Sequence, residues 1–130
     1  MTYATQLPGL YLLETNKGRA VYTTEVIPKG SIIELCPVIK LNPKDTALIH
    51  QTALHDFYFL WDELEKTSAI ALGYGSLYNH SADPNALFEL ILNEQEIRFI
   101  ALHDISSNSE ITINYLAKEI KEYKLWFTPQ

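Results

Sequence analysis

One hundred and thirty residues, 47% hydrophobic and 20% charged, describe a single ordinary globular domain with room for a real core. A net charge of −6 argues against a dedicated nucleic-acid binder, which needs a basic face, and suits a cationic partner such as a lysine-rich peptide. The lone cysteine, Cys36, excludes an internal disulfide and a cysteine-rich zinc cluster. No apolar run reaches the ~20 residues of a membrane span, and no signal peptide opens the sequence, so a cytoplasmic setting is the default expectation.

Residues 1–8 read as a frayed lead-in. Leu10 to Glu14 is a strand, Thr15 to Gly18 a turn, and Ala20 to Thr23 the hairpin partner. Pro28-Lys29-Gly30 is a turn by residue type. Ser31 to Cys36 and Val38 to Leu41 are β-rich runs broken at Pro37, and a variable stretch begins at Asn42. Thr46 to Gln51 has the length of one helical turn. Phe57 to Trp61 is an aromatic strand, Asp62 to Lys66 an exposed acidic loop, and Ser68 to Leu72 leads into a loop of unusual composition.

That loop runs from Gly73 to Asn85 (Gly-Tyr-Gly-Ser-Leu-Tyr-Asn-His-Ser-Ala-Asp-Pro-Asn). Its turn formers exclude a regular helix or strand, yet Tyr74, Leu77 and Tyr78 are interleaved with them, so the loop is buried. A buried irregular loop must satisfy every backbone polar group, which usually serves a site. Beyond it, Ala86 to Leu92 and Ile97 to Leu102 form a hairpin across Asn93 to Glu96. Ser106 to Ser109 is a turn with Asn108 suited to the left-handed region, and Ile111 to Ile113 is a short strand. Ala117, Ile120, Tyr123 and Phe127 carry the spacing of an amphipathic helix. The chain is mainly β, rich in short strands with short helices.

Two segments carry a resemblance. Asn79-His80-Ser81 followed by Pro84-Asn85 resembles the Asn-His-Ser-Cys-x-Pro-Asn signature of SET-domain lysine methyltransferases, and Glu110 to Tyr115 resembles that family's Glu-Leu-x-Phe-Asp-Tyr. Upstream, Gly18 to Tyr22 is similar to the family's opening Gly-x-Gly strand, and Ile27 to Gly30 to the turn after it. Four motifs in the right order span residues 9–127 of one domain covering 1–130, and the likeness is greatest to the short single-domain viral and bacterial members. It implies a fold of small sheets in which the segment carrying the catalytic tyrosine passes beneath the Asn-His-Ser loop, a pseudoknot.

The implied chemistry is methyl transfer from S-adenosylmethionine to the side-chain amine of a lysine-containing protein, a histone being the family's usual target. The family's catalytic tyrosine falls on Tyr115. Read alone, a tyrosine at a strand end is a core ring. Asn79 and His80 would hold the cofactor, against the plainer reading of an Asx-turn and a core histidine. Gly18, Arg19 and Ala20 would lie beside its methionine part. Tyr58 and Tyr74 are candidates for the site's aromatic walls, or equally core aromatics. Trp126 and Phe127 would either stack on the adenine or dock a helix.

Several positions depart from the family pattern: Ala82 for Cys (with Asp83 at the next position of the motif, as short members permit), Asn114 for Asp, Ser76 where Arg is common, and Ala20 for the second Gly. Ile113 stands where an aromatic residue usually tunes the number of methyl groups. No metal is expected, because His50, His55, His80 and His103 lack ligand spacing. Cys36 and Ser81 lack the settings of nucleophiles. Asp62, Glu63 and Glu65 form a solvated loop or attract a basic peptide. Homodimerisation follows from the short relatives. The alternative function is a non-catalytic SET-like module that binds a protein.

Overall fold

The computed structural model describes residues 5–16 and 18–115. The expected helix over 117–127, with Trp126 and Phe127, lies outside them. Within them the protein is mainly β, built as three small sheets.

The first sheet is the hairpin of β1 (Leu10–Thr15) and β2 (Gly18–Thr23), extended by the two-residue β9 (Ser109–Glu110). The second has five strands. In chain order these are β3 (Ile32–Leu41), β4 (Tyr58–Asp62), β5 (Thr67–Ala71), β7 (Ala86–Ile91) and β8 (Glu96–Ala101), arranged β4-β5-β3-β8-β7 with every pair antiparallel. The third is a two-residue parallel pair, β6 (Asn79–His80) with β10 (Thr112–Ile113).

Period-two alternation explains β8: Ile97, Phe99 and Ala101 point into the core, and the residues between them are partly exposed. Phe99 meets Tyr78 at 4.7 Å and Phe59 at 6.2 Å between ring centroids. Gly75 approaches the same place so closely that a Cβ there would lie 2.6 Å from Ala71 Cβ and 2.8 Å from Cys36 Sγ. The loop after β5 is therefore pressed onto the sheet, as its mixed composition suggests.

Six expectations change. Residues 5–7 are not frayed: Leu7 N–H donates to Ile33 O, Leu35 N–H donates to Thr5 O, and Gln6 bridges Glu34. They fill the flank of β3 that β5 leaves open. Pro37 does not break the strand; β3 runs through it, and beyond it pairing to β5 begins, with the Pro37 carbonyl accepting Leu72 N–H. The helix α1 (Pro43–Ile49) starts earlier than the helical turn at Thr46, because Asn42 caps it by accepting Asp45 N–H at 2.8 Å with Pro43 in its first turn. Thr67–Ala71 is a full strand, buried almost throughout, with Thr46 of α1 on Ser68 and Gly75 against Ala71 on the other face, which removes the alternation that marks a half-exposed strand. Asn79-His80 is strand after all, and Ser109 belongs to β9 rather than the turn before it. Asn108 does take the left-handed region, at φ 61°.

Candidate active site

The site grows from the place where two segments thirty residues apart meet. The β6–β10 pair continues into a hydrogen bond from Ser81 N–H to Ile113 O at 2.8 Å. Asn85 secures the crossing from the other side. Its side-chain oxygen accepts Thr112 N–H at 2.9 Å and its amide donates to Glu110 O at 2.8 Å, so one side chain imitates a strand neighbour. The crossing expected from the resemblance is thus built from a two-residue ladder and an amide clamp.

Tyr115 follows directly. Its backbone N–H donates to His80 Nδ1 at 3.0 Å, which leaves that ring nitrogen unprotonated, and the two rings lie 5.1 Å apart. Its hydroxyl donates to the Tyr78 carbonyl at 2.7 Å. Burial first, then the charges of Asp56 and Glu110, push the phenol above its ordinary value of 10.0. It keeps its proton at neutral pH, so it orients other groups through hydrogen bonds and does not act as a base. Tyr115 as a whole residue remains 42% exposed.

Asn79 is the second fixed point. Its amide nitrogen donates to Arg19 O at 3.1 Å on β2 and to Glu110 Oε2 at 2.9 Å. Two acceptors on one side force the NH₂ toward them and turn Oδ1 the other way. Among the described residues nothing donates to that oxygen. His80 contributes backbone: Ser81 bonds Ile113 in a parallel ladder, so the N–H and C=O of His80 point away from β10. Asn79 thus offers an acceptor, and His80 a backbone N–H and C=O directed away from β10.

The remaining candidates fall differently. Gly18 sits at the hairpin turn with open space beside its Cα, and Ala20 is fully buried, next to the carbonyl that Asn79 binds. Tyr58 bonds its hydroxyl to His50 Nδ1 at 2.8 Å, and Tyr74 is packed against the core. Neither shares a hydrogen bond or ring contact with Tyr115. Ile113 is fully buried. Ser76, where relatives often have Arg, ties the turn by bonding both the N–H and the C=O of Ala71. No cluster of His, Cys, Asp or Glu fit for a metal occurs among the described residues, and none of their helices is long and apolar enough to cross a membrane.

The sequence reading missed Glu34. It is 3% exposed, on the inner face of β3. Glu34 Oε1 accepts the Tyr78 hydroxyl at 2.6 Å; Oε2 accepts Tyr74 N–H at 3.0 Å and the Gln6 amide at 2.9 Å. The only hint available in sequence was an acid inside the apolar run from Ile32 to Ile39.

Comparison with known proteins identifies the family. Residues 18–116 match the SET domain. A histone-lysine N-methyltransferase of Schizosaccharomyces pombe, specific for H3 lysine-37, is 32% identical over 100 residues, which are 76% of this chain and 67% of that protein. A SET and MYND domain-containing protein of Dictyostelium discoideum is 28% identical over 72% of this chain, but the match spans only 23% of that longer protein. Among solved structures, a Plasmodium falciparum protein assigned as a histone methyltransferase superposes with a TM-score of 0.62 at 28% identity, covering 82% of this chain and 96% of the other. The chain belongs to the SET-domain family. By that kinship it is a protein-lysine N-methyltransferase.

Proposed function

We propose that this methyltransferase uses S-adenosylmethionine and acts on lysine in a basic protein of the histone type. The observation that carries the reading is the Tyr115 hydroxyl held on the Tyr78 carbonyl, directly before Asn79, whose oxygen takes no donor among the described residues, and His80, whose N–H and C=O point away from β10. These groups fit the cofactor: an amide oxygen suits the methionyl ammonium, and a bare N–H and C=O suit the edge of adenine. Arg19 and Glu110 would keep the amide in that orientation. When bound, the cofactor supplies a methyl group activated on a sulfonium.

The protein's part is placement. A lysine amine has a pKa of ~10.4 in water and must lose its proton before it can attack; burial beside a cationic sulfonium favours that loss. Tyr115 donates its own proton to the Tyr78 carbonyl, so its oxygen presents lone pairs to whatever lies over the ring. It can align the amine by accepting from it, and positioning of this kind is worth on the order of 10²-fold for a 1 Å error. A net charge of −6 draws a basic substrate. The relatives' named histone activity and the chain's own acidity favour a histone-like acceptor, and pairing of two copies is part of the same reading, measurable by light scattering.

Calorimetry with S-adenosylhomocysteine, followed by mass spectrometry of histones incubated with the enzyme and S-adenosylmethionine, tests the proposal. Binding and lysine methylation are expected, and Tyr115→Phe should cut turnover roughly a hundredfold while the circular dichroism spectrum is kept. No cofactor binding, or full turnover in the variant, sinks it.

A further inference from the structure

We propose that Glu34 is a positioning residue that sets where the Tyr115 hydroxyl sits, acting through Tyr78. The inference rests on the reading of Tyr115 as the residue at the reaction centre.

A buried acid is a poor choice for stability alone, because removing a charged group from water costs more than an apolar side chain of the same size. Here one carboxyl ties both ends of a single turn. It takes the N–H of Tyr74 at the start and the hydroxyl of Tyr78 at the end. Gly73 leaves room for it, since a Cβ there would fall on Glu34 Oε2. Gln6, from the lead-in, braces the same oxygen.

The Tyr78 side chain is consequently held twice, by its hydroxyl on Glu34 and by its fully buried ring against Phe99. With ring and hydroxyl fixed, the Tyr78 carbonyl has little freedom, and that carbonyl receives Tyr115 at 2.7 Å. The link is therefore carboxyl to phenol, phenol to its own backbone, and backbone to the second phenol. Supporting groups of this sort hold a reactive constellation within the half-ångström that catalysis requires.

Two variants isolate the link. Glu34→Gln keeps the shape, but an amide donating to Tyr78 lengthens the 2.6 Å bond toward the usual N–H···O distance of about 2.9 Å. Tyr78→Phe removes the bond and leaves the ring. With purified histones as acceptor, each should lower kcat about tenfold with the KM for S-adenosylmethionine unchanged, and the double variant should be no worse than the poorer single one. In ¹³C-tyrosine-labelled protein, the ring signal assigned to Tyr115 by its loss in Tyr115→Phe should move in both variants. A purely structural Glu34 would lower the thermal midpoint and leave kcat and that signal unchanged below the melting range; such a result overturns the proposal. The labelled-tyrosine measurement needs no turnover, so it decides on Glu34 even if the wild-type protein fails to methylate histones.

Discussion

The five-stranded sheet and the crossing of 79–85 with 109–115 are held together by different physics. In the sheet, Ile33, Ile97, Phe99 and their neighbours are sealed from water, and each contributes through the area it buries. The crossing also contains Ile111 and Ile113, but its geometry is set by single bonds: Asn85 to two backbone groups, Asn79 to Arg19 and Glu110, Tyr115 to Tyr78. Apolar burial tolerates small displacements, whereas a hydrogen bond has a narrow distance and angle. One region supplies stability and the other supplies position.

The sharpest break of that contrast is a cavity. Phe99→Ala should cost about 3–5 kcal/mol in urea denaturation, because the ring touches the sheet and the central loop together. A loss under 1 kcal/mol would mean the sheet is not the stabilising half. Alkali probes the same core. Burial foremost, then the nearby Glu34 charge, raise both the Cys36 thiol, ordinarily near 9.0, and the Tyr78 phenol, ordinarily near 10.0. The unfolded chain releases these protons first, so stability is full below about pH 9 and declines as pH rises. The slope is about 1.4 kcal/mol per pH unit per group, first from Cys36 and then also from Tyr78. Thermal midpoints measured from pH 7 to 11 should show this, and Cys36→Ala should remove the earlier part.

The crossing answers to subtler changes. Glu110→Ala removes one of the two acceptors that orient the Asn79 amide and leaves it only the Arg19 carbonyl. Affinity for S-adenosylhomocysteine should fall about tenfold, or ~1.4 kcal/mol, with the melting curve little changed. Unaltered affinity would detach Asn79 from the cofactor. The smallest effect is expected at the surface pair of Glu89 and Arg98, 3.5 Å apart across β7 and β8 and partly exposed. Glu89→Gln should stay within ~0.5 kcal/mol.

The same division governs what could be read from the sequence. The hairpins β1–β2 and β7–β8 announced themselves as β-rich runs on either side of turn residues, with clean alternation only in β8. β5 did not, because Thr-Ser-Ala-Ile-Ala is covered on both sides. The start of α1 carries a cap and a first-turn proline in Asn42-Pro43, but Asn-Pro-Lys-Asp equally suits a turn and was read as the start of a variable stretch. At the site, only the family resemblance joined Asn79, His80 and Tyr115; periodicity says nothing about segments that meet across thirty residues. Glu34 was out of reach for a related reason. Its partners lie 28, 40 and 44 residues away, and the apolar run around it says nothing of which groups it will bind.

The two-residue parallel ladder has a consequence for synthesis of the protein. A chain emerging from the ribosome carries Arg19, Glu34 and Asn79 long before Thr112 and Ile113 exist to pair with β6. Closing so long a loop costs entropy that only the finished contacts repay. If Tyr115 acts as proposed, the nascent enzyme is silent until the segment 109–115 returns; a chain cut short before residue 115 would contain every strand of its five-stranded sheet and lack that phenol.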